Sequence, residues 1–146
     1  MARRYYVHQM IVDTPGQDLL LSTTVQGHVN ATHSGCKNCD AMPCCGLNVL
    51  AAKSKDGGKM VVVRTVNSGT IAVNVTFDFN GATEPASYVV TTLASTSGTL
   101  EGPDSDNPVW DPRRHVPVVS ESTAFDRRTP LTLPPVSFQI FVFTGR

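Results

Sequence analysis

Acidic catalysts are scarce in this chain. Only three glutamates occur among 146 residues, and they are Glu84, Glu101 and Glu121. Glu84 precedes a proline, Glu101 precedes a glycine and Glu121 lies between serines, so none sits in a recognisable catalytic motif. Charge is also sparse, at 16% of residues, and Lys+Arg equals Asp+Glu at 12 each. That balance offers no footprint for nucleic acid or for an anionic membrane. The pairs Arg3-Arg4, Arg113-Arg114 and Arg127-Arg128 are scattered and read as solvated. No apolar run approaches the ~18 residues that a bilayer span needs. The N-terminal basic pair is followed by no apolar stretch, so if the chain is secreted its signal lies outside this sequence. Glycine-rich phosphate loops, nucleophile elbows and metalloprotease helices are absent.

What remains is a globular composition with 40% hydrophobic residues. One domain with one core is the expectation for this length. Helical spacing is confined to Tyr5 to Val12, where Tyr6 and Met10, and Val7 and Ile11, recur four apart. Asp13-Thr14-Pro15-Gly16 should end that helix after one or two turns. Beyond it the chain reads as strands, over 18–25, 47–52, 60–66, 71–79, 87–93, 116–120, 131–133 and 137–144. Ile71, Val73, Val75, Phe77 and Phe79 alternate with smaller or polar residues, which places one face in a core and the other in water. Turns are marked by Asp56-Gly57, Asn67-Ser68-Gly69 and Asn80-Gly81. The last strand is apolar on both faces. It should therefore be central, with one face covered from outside the simple sandwich. The fold class is all-β, an antiparallel, jelly-roll-like sandwich with a short N-terminal helix.

Four cysteines, Cys36, Cys39, Cys44 and Cys45, fall within ten residues. A zinc site prefers two spaced pairs of ligands. Here the second pair is adjacent, although His28 and His33 add imidazole nitrogens. Disulfides that pin a loop are the plainer reading, with three possible pairings. Asp104, Asp106 and Asp111 gather oxygen ligands with Asn107, but not in the order of a twelve-residue calcium loop. No cofactor or metal is assigned. Trp110, the single tryptophan, lies in a proline-rich loop from 95 to 114 and is the candidate platform for stacking on sugar. Packing of that loop onto its own sandwich is the plainer reading of it. Asn30-Ala31-Thr32 and Asn74-Val75-Thr76 are acceptor triplets for N-glycosylation, at Asn30 and Asn74.

Several pieces recur in order. They are Tyr5-Tyr6-Val7-His8-Gln9-Met10, the strand Lys59 to Asn67 that ends in Val66-Asn67, Thr91-Thr92-Leu93, Asp106-Asn107, Asp111-Pro112, Val116-Pro117, and Leu131 to Phe138 with its Leu133-Pro134-Pro135-Val136-Ser137-Phe138 ending. This ordered set resembles the C-terminal β-sandwich of the α-L-arabinofuranosidases of glycoside hydrolase family 51. The resemblance covers about Tyr5 to Phe143. It implies that 1–16 is the helix and link leaving a catalytic barrel, and that 17–146 is the sandwich. It also implies a retaining enzyme that releases terminal arabinofuranose from arabinan or arabinoxylan, secreted, with a (β/α)8 barrel as partner domain. Such a barrel needs about 250 residues. The Asn-Glu pair that the family places on a barrel strand is missing, and the cysteine cluster is an insertion that the family does not require. No catalytic residue carries over, and the chain alone is expected to be non-catalytic. A free-standing carbohydrate-binding module and an immunoglobulin-like structural module share the strand pattern and are the alternatives. The Cys…Trp…Cys spacing of true immunoglobulin domains is absent. If the barrel boundary is bared, the apolar terminal strand and the helix with Tyr5, Tyr6 and Met10 are the expected exposed patch.

Overall fold

The computed structural model describes residues 2–26, 47–55, 57, 59–69, 71–80, 83–95 and 116–145, with side chains from Tyr6 onward. Helix α1 spans Ala2–Asp13. The strands are β1 (Leu19–Leu21), β2 (Leu47–Lys53), β3 (Met60–Asn67), β4 (Val73–Val75), β5 (Ser87–Ala94), β6 (Val118–Val119), β7 (Thr123–Ala124), β8 (Leu131–Leu133) and β9 (Ser137–Thr144). All pairings are antiparallel. The main sheet runs β1-β2-β3-β9-β5, with β6 and β7 both on the outer side of β5. β4 and β8 form a second, two-stranded sheet. The architecture is an antiparallel β-sandwich with a helix on its outside.

Alternation along β9 explains the layering. Phe141 and Phe143 point into the space between the sheets and join Leu47, Ala51, Val63 and Leu133 in the main core. Phe77 and Phe79 reach this core from the opposing layer. Phe143 alone meets five rings, with centroids from 5.1 to 6.0 Å away. Tilted and edge-on geometries dominate, as the ring quadrupole favours. On the other face of the sheet, Ile140 joins Val62, Leu93 and Met10 of α1, with Phe138 and Val142 packed against them. The terminal strand is therefore central, between β3 and β5, and its outside cover is α1.

Two expectations need correction. α1 is not a stub of one or two turns but a 12-residue helix. Nor are the terminal strand and Met10 bared: Ile140 is 1% exposed and Met10 is 5% exposed. The apolar residues of the helix and of β9 cover one another, which removes both from water.

α1 ends where the sequence predicts. The Thr14 hydroxyl donates to the Met10 carbonyl at 2.6 Å, and Gln17 Nε2 donates to the carbonyls of Ile11 and Thr14. These bonds satisfy carbonyls that the last turn leaves without partners. Gly16 then takes φ +77°, and a Cβ there would lie 2.6 Å from Met60 Sδ. The left-handed turn favours glycine, while the Met60 side chain is flexible enough to move aside.

β6 and β7 are one edge strand broken by a bulge. Val119 faces Thr91 while Thr123 faces Tyr88, so one side of the pairing holds an extra residue. Ser120 fills the gap. Its backbone N–H donates to the Val90 carbonyl, and its hydroxyl accepts from the Val90 N–H at 3.0 Å.

Candidate functional site

Glu84 and Glu121 are both exposed. Glu84 pairs with Arg127 at 3.3 Å in a solvated contact. Glu101, Trp110, Cys36, Cys39, Cys44, Cys45, Asn30, His28, His33 and the aspartates of the 95–114 loop lie outside the described residues. Asn74 lies on β4 with its side chain in solvent, where its Oδ1 accepts from Thr132 Oγ1 of β8 at 2.8 Å. Among the described residues, no three His, Cys, Asp or Glu side chains group as metal ligands, and no helix is long and apolar enough to cross a membrane.

The structure does bring together two of the sequence motifs. Asn67 ends β3 and is 3% exposed. Its amide donates to the carbonyls of Ile71 at 2.9 Å, Leu133 at 3.3 Å and Pro134 at 2.9 Å. Its Oδ1 accepts from the Gly69 N–H at 2.9 Å. Ser137 Oγ donates to the same Pro134 carbonyl at 2.6 Å, and the Val136 N–H donates to the Gly69 carbonyl at 2.8 Å. Val136 is held at φ +44°, a costly conformation for a β-branched residue. The Val-Asn and Leu-Pro-Pro-x-Ser-Phe motifs are thus two halves of one buried clasp. It ties the β3–β4 turn to the start of β9. Their chemistry is backbone satisfaction, which explains why the pieces occur together.

A second feature lies on the sheet face that carries α1. Ala52, Val62 and Ile140 are buried there. Away from them along the strands, cover is lost. Leu50 is 42% exposed and Val66 is 37% exposed, and Leu20, opposite Ala52 on β1, is 74% exposed. Arg64 is half-buried and faces Leu50 on β2 and Ile140 on β9. Desolvation lowers its guanidinium from the usual value. It pairs with no carboxylate among the described residues. The signal for this residue lies in the sequence as an arginine inside the apolar run Met60 to Val66, a position that no catalytic or metal-binding motif marks.

Comparison with solved structures follows from this three-layer arrangement. The fold is that of a segment found in family 51 α-L-arabinofuranosidases. The Thermotoga maritima α-L-arabinofuranosidase in complex with arabinose matches with TM-score 0.51 and 24% identity, over 66% of this chain and 19% of that one. An arabinose-bound family 51 α-L-arabinofuranosidase matches with TM-score 0.55 and 16% identity, over 69% and 15%. A family 44 xyloglucanase from Paenibacillus polymyxa matches with TM-score 0.50 and 17% identity, over 69% and 17%. The chain therefore spans less than a fifth of each of these three enzymes. No family model and no curated relative matches it.

Proposed function

We propose that the chain is the accessory β-sandwich of an α-L-arabinofuranosidase, non-catalytic by itself and packed against a (β/α)8 barrel. The barrel would release terminal arabinofuranose from arabinan or arabinoxylan with retention. In this reading α1 and its link, 1–16, lead out of the barrel, and 17–146 form the sandwich. Secretion, and a glycan on Asn74, belong to the same proposal.

The observation that carries it is the fold match to family 51 enzymes over two thirds of this chain but about a fifth of theirs. Family 44 enzymes share the fold, so the choice of family 51 rests on the ordered motifs. The clasp supports that choice, because it gives the Val66-Asn67 and Leu133 to Phe138 pieces a common structural reason. A retaining glycosidase needs two carboxyl groups about 5 Å apart across the scissile bond. Among the described residues Glu84 is engaged with Arg127 on the surface, which accords with a barrel supplying that chemistry.

The test is replacement. This chain is joined to the Thermotoga maritima α-L-arabinofuranosidase in place of the segment that it matches. A soluble chimera that hydrolyses an aryl α-L-arabinofuranoside is expected. An insoluble or inactive chimera counts against the reading. The isolated chain should release nothing above buffer, and turnover by it would overturn the non-catalytic assignment.

A further inference from the structure

The geometry points to the β1–β2–β3 part of the α1 face, centred on Arg64, as the surface that docks the barrel, with a barrel carboxylate closing on the Arg64 guanidinium. This rests on the accessory-domain reading above and adds to it the face and the charge of the partner.

Three observations support it. First, exposure on this face is graded. The sheet is sealed under α1 at Val62 and Ile140 and opens toward Leu50 and Val66, with Leu20 on the flank. The open part is continuous with an apolar layer already covered by a helix, so a partner placed there extends an existing core. Second, Arg64 stands among these apolar residues without a carboxylate among the described residues. Arginine ringed by apolar contacts is typical of strongly contributing interface positions. Its five N–H donors fit a carboxylate through two parallel bonds. Third, β1, β2, β3, β5 and β9 contain no aspartate or glutamate. The sheet itself therefore has no acid to offer, and a two-fold pairing of two copies across this face would set Arg64 against Arg64. That disfavours a second copy and favours a partner with an acidic patch. The opposite, outer layer presents Asn74, Thr76, Asp78 and Thr132 to solvent, which suits a surface that stays in water.

The experiment uses the chimera, with substitutions on both faces. Leu50→Asp with Val66→Asp, and separately Arg64→Glu, should shorten the half-life of arabinofuranosidase activity at elevated temperature at least tenfold. Arg64→Glu should cost more than Arg64→Ala, since it sets two acids together. Thr76→Glu on the outer layer should leave the half-life within twofold. In the isolated chain Leu50→Asp with Val66→Asp should cost much less than in the chimera, because Leu50 and Val66 are already partly exposed there. An active chimera in which the Arg64-face variants behave like Thr76→Glu overturns this inference and spares the accessory-domain reading. A wild-type chimera that fails to assemble removes both. An isolated chain that is dimeric and becomes monomeric with Leu50→Asp makes the occupant a second copy and also overturns the inference.

Discussion

Asn67 has two amide protons and three carbonyls within reach. No other natural side chain of this size donates twice and accepts once. Asn67→Ala removes the donors to the Ile71 and Leu133 carbonyls, takes one of two donors from the Pro134 carbonyl, which keeps Ser137, and strands the buried Gly69 N–H. The expected loss is about 3 kcal/mol, since each buried group left unpaired costs about 1–3 kcal/mol. Urea unfolding should show it as a lower midpoint with an unchanged slope. Asn67→Asp keeps the acceptor for the Gly69 N–H but not the donors, and should fall as far. A midpoint within 0.3 kcal/mol equivalents of wild type, on the order of ordinary surface substitutions, would remove the clasp from the account. Asp126 offers a contrasting residue on the surface. The Arg128 backbone N–H, and then the Thr129 hydroxyl, hold its carboxyl below the usual carboxylate range. A carboxyl with a depressed native pKa stabilises the fold above its unfolded pKa, near 3.9. That stabilisation is lost as pH falls through the lower native value. Asp126→Asn should therefore lower stability slightly at pH 7, and the difference from wild type should vanish in strong acid. A difference that grows in acid would contradict the sign.

Elements were legible in the sequence where a side-chain period met a partner strand. The predicted strands 47–52, 60–66, 87–93, 131–133 and 137–144 agree with β2, β3, β5, β8 and β9 to within a residue. The two-faced apolarity of β9 correctly implied a central strand with outside cover. The alternation from Ile71 to Phe79 is real, yet only Val73–Val75 is a strand. Its partner β8 is three residues long, so the ladder stops while Phe77 and Phe79 continue inward as extended chain. Periodicity reports burial, and pairing needs a neighbour as well. The bulge at Ser120 was not visible for a similar reason, because register is a property of two strands. α1 was underestimated because its packing partner is tertiary. Tyr6, Val7, Met10 and Ile11 find their apolar surface on a sheet made largely from the far end of the chain. Most helix stability comes from such packing. Met10→Ala should thus cost about 2–4 kcal/mol, within the range for a buried methionine cut to alanine. Val12→Ala, at a position 80% exposed, should cost less than about 0.5 kcal/mol. Equal costs for the two would show that α1 does not anchor the sheet.

At the scale of the whole molecule, the order of strands in the main sheet departs from their order in the chain at one place, where the last strand lies between β3 and β5. β9 is the last strand of the chain and the centre of the main sheet, with all eight of its residues paired on both sides, to β3 and to β5. Until it is present, β1-β2-β3 and β5-β6-β7 are two separate edges with unsatisfied ladders. The main core and the helix-side core also both draw on β9, through Phe141 and Phe143 on one face and Ile140 on the other. Everything cooperative in this fold should therefore pass through residues 137–144. Pairings between strands so distant in sequence close slowly, because loop entropy is lost before contacts compensate. A chain ending at Val136 should bind a hydrophobic dye and show no sharp unfolding transition. In the intact protein the β9 amides should exchange only through global opening, whereas those of β6 and β7 exchange through local fraying. Uniform exchange across β6, β7 and β9 would mean that the strand between the two halves is not the keystone.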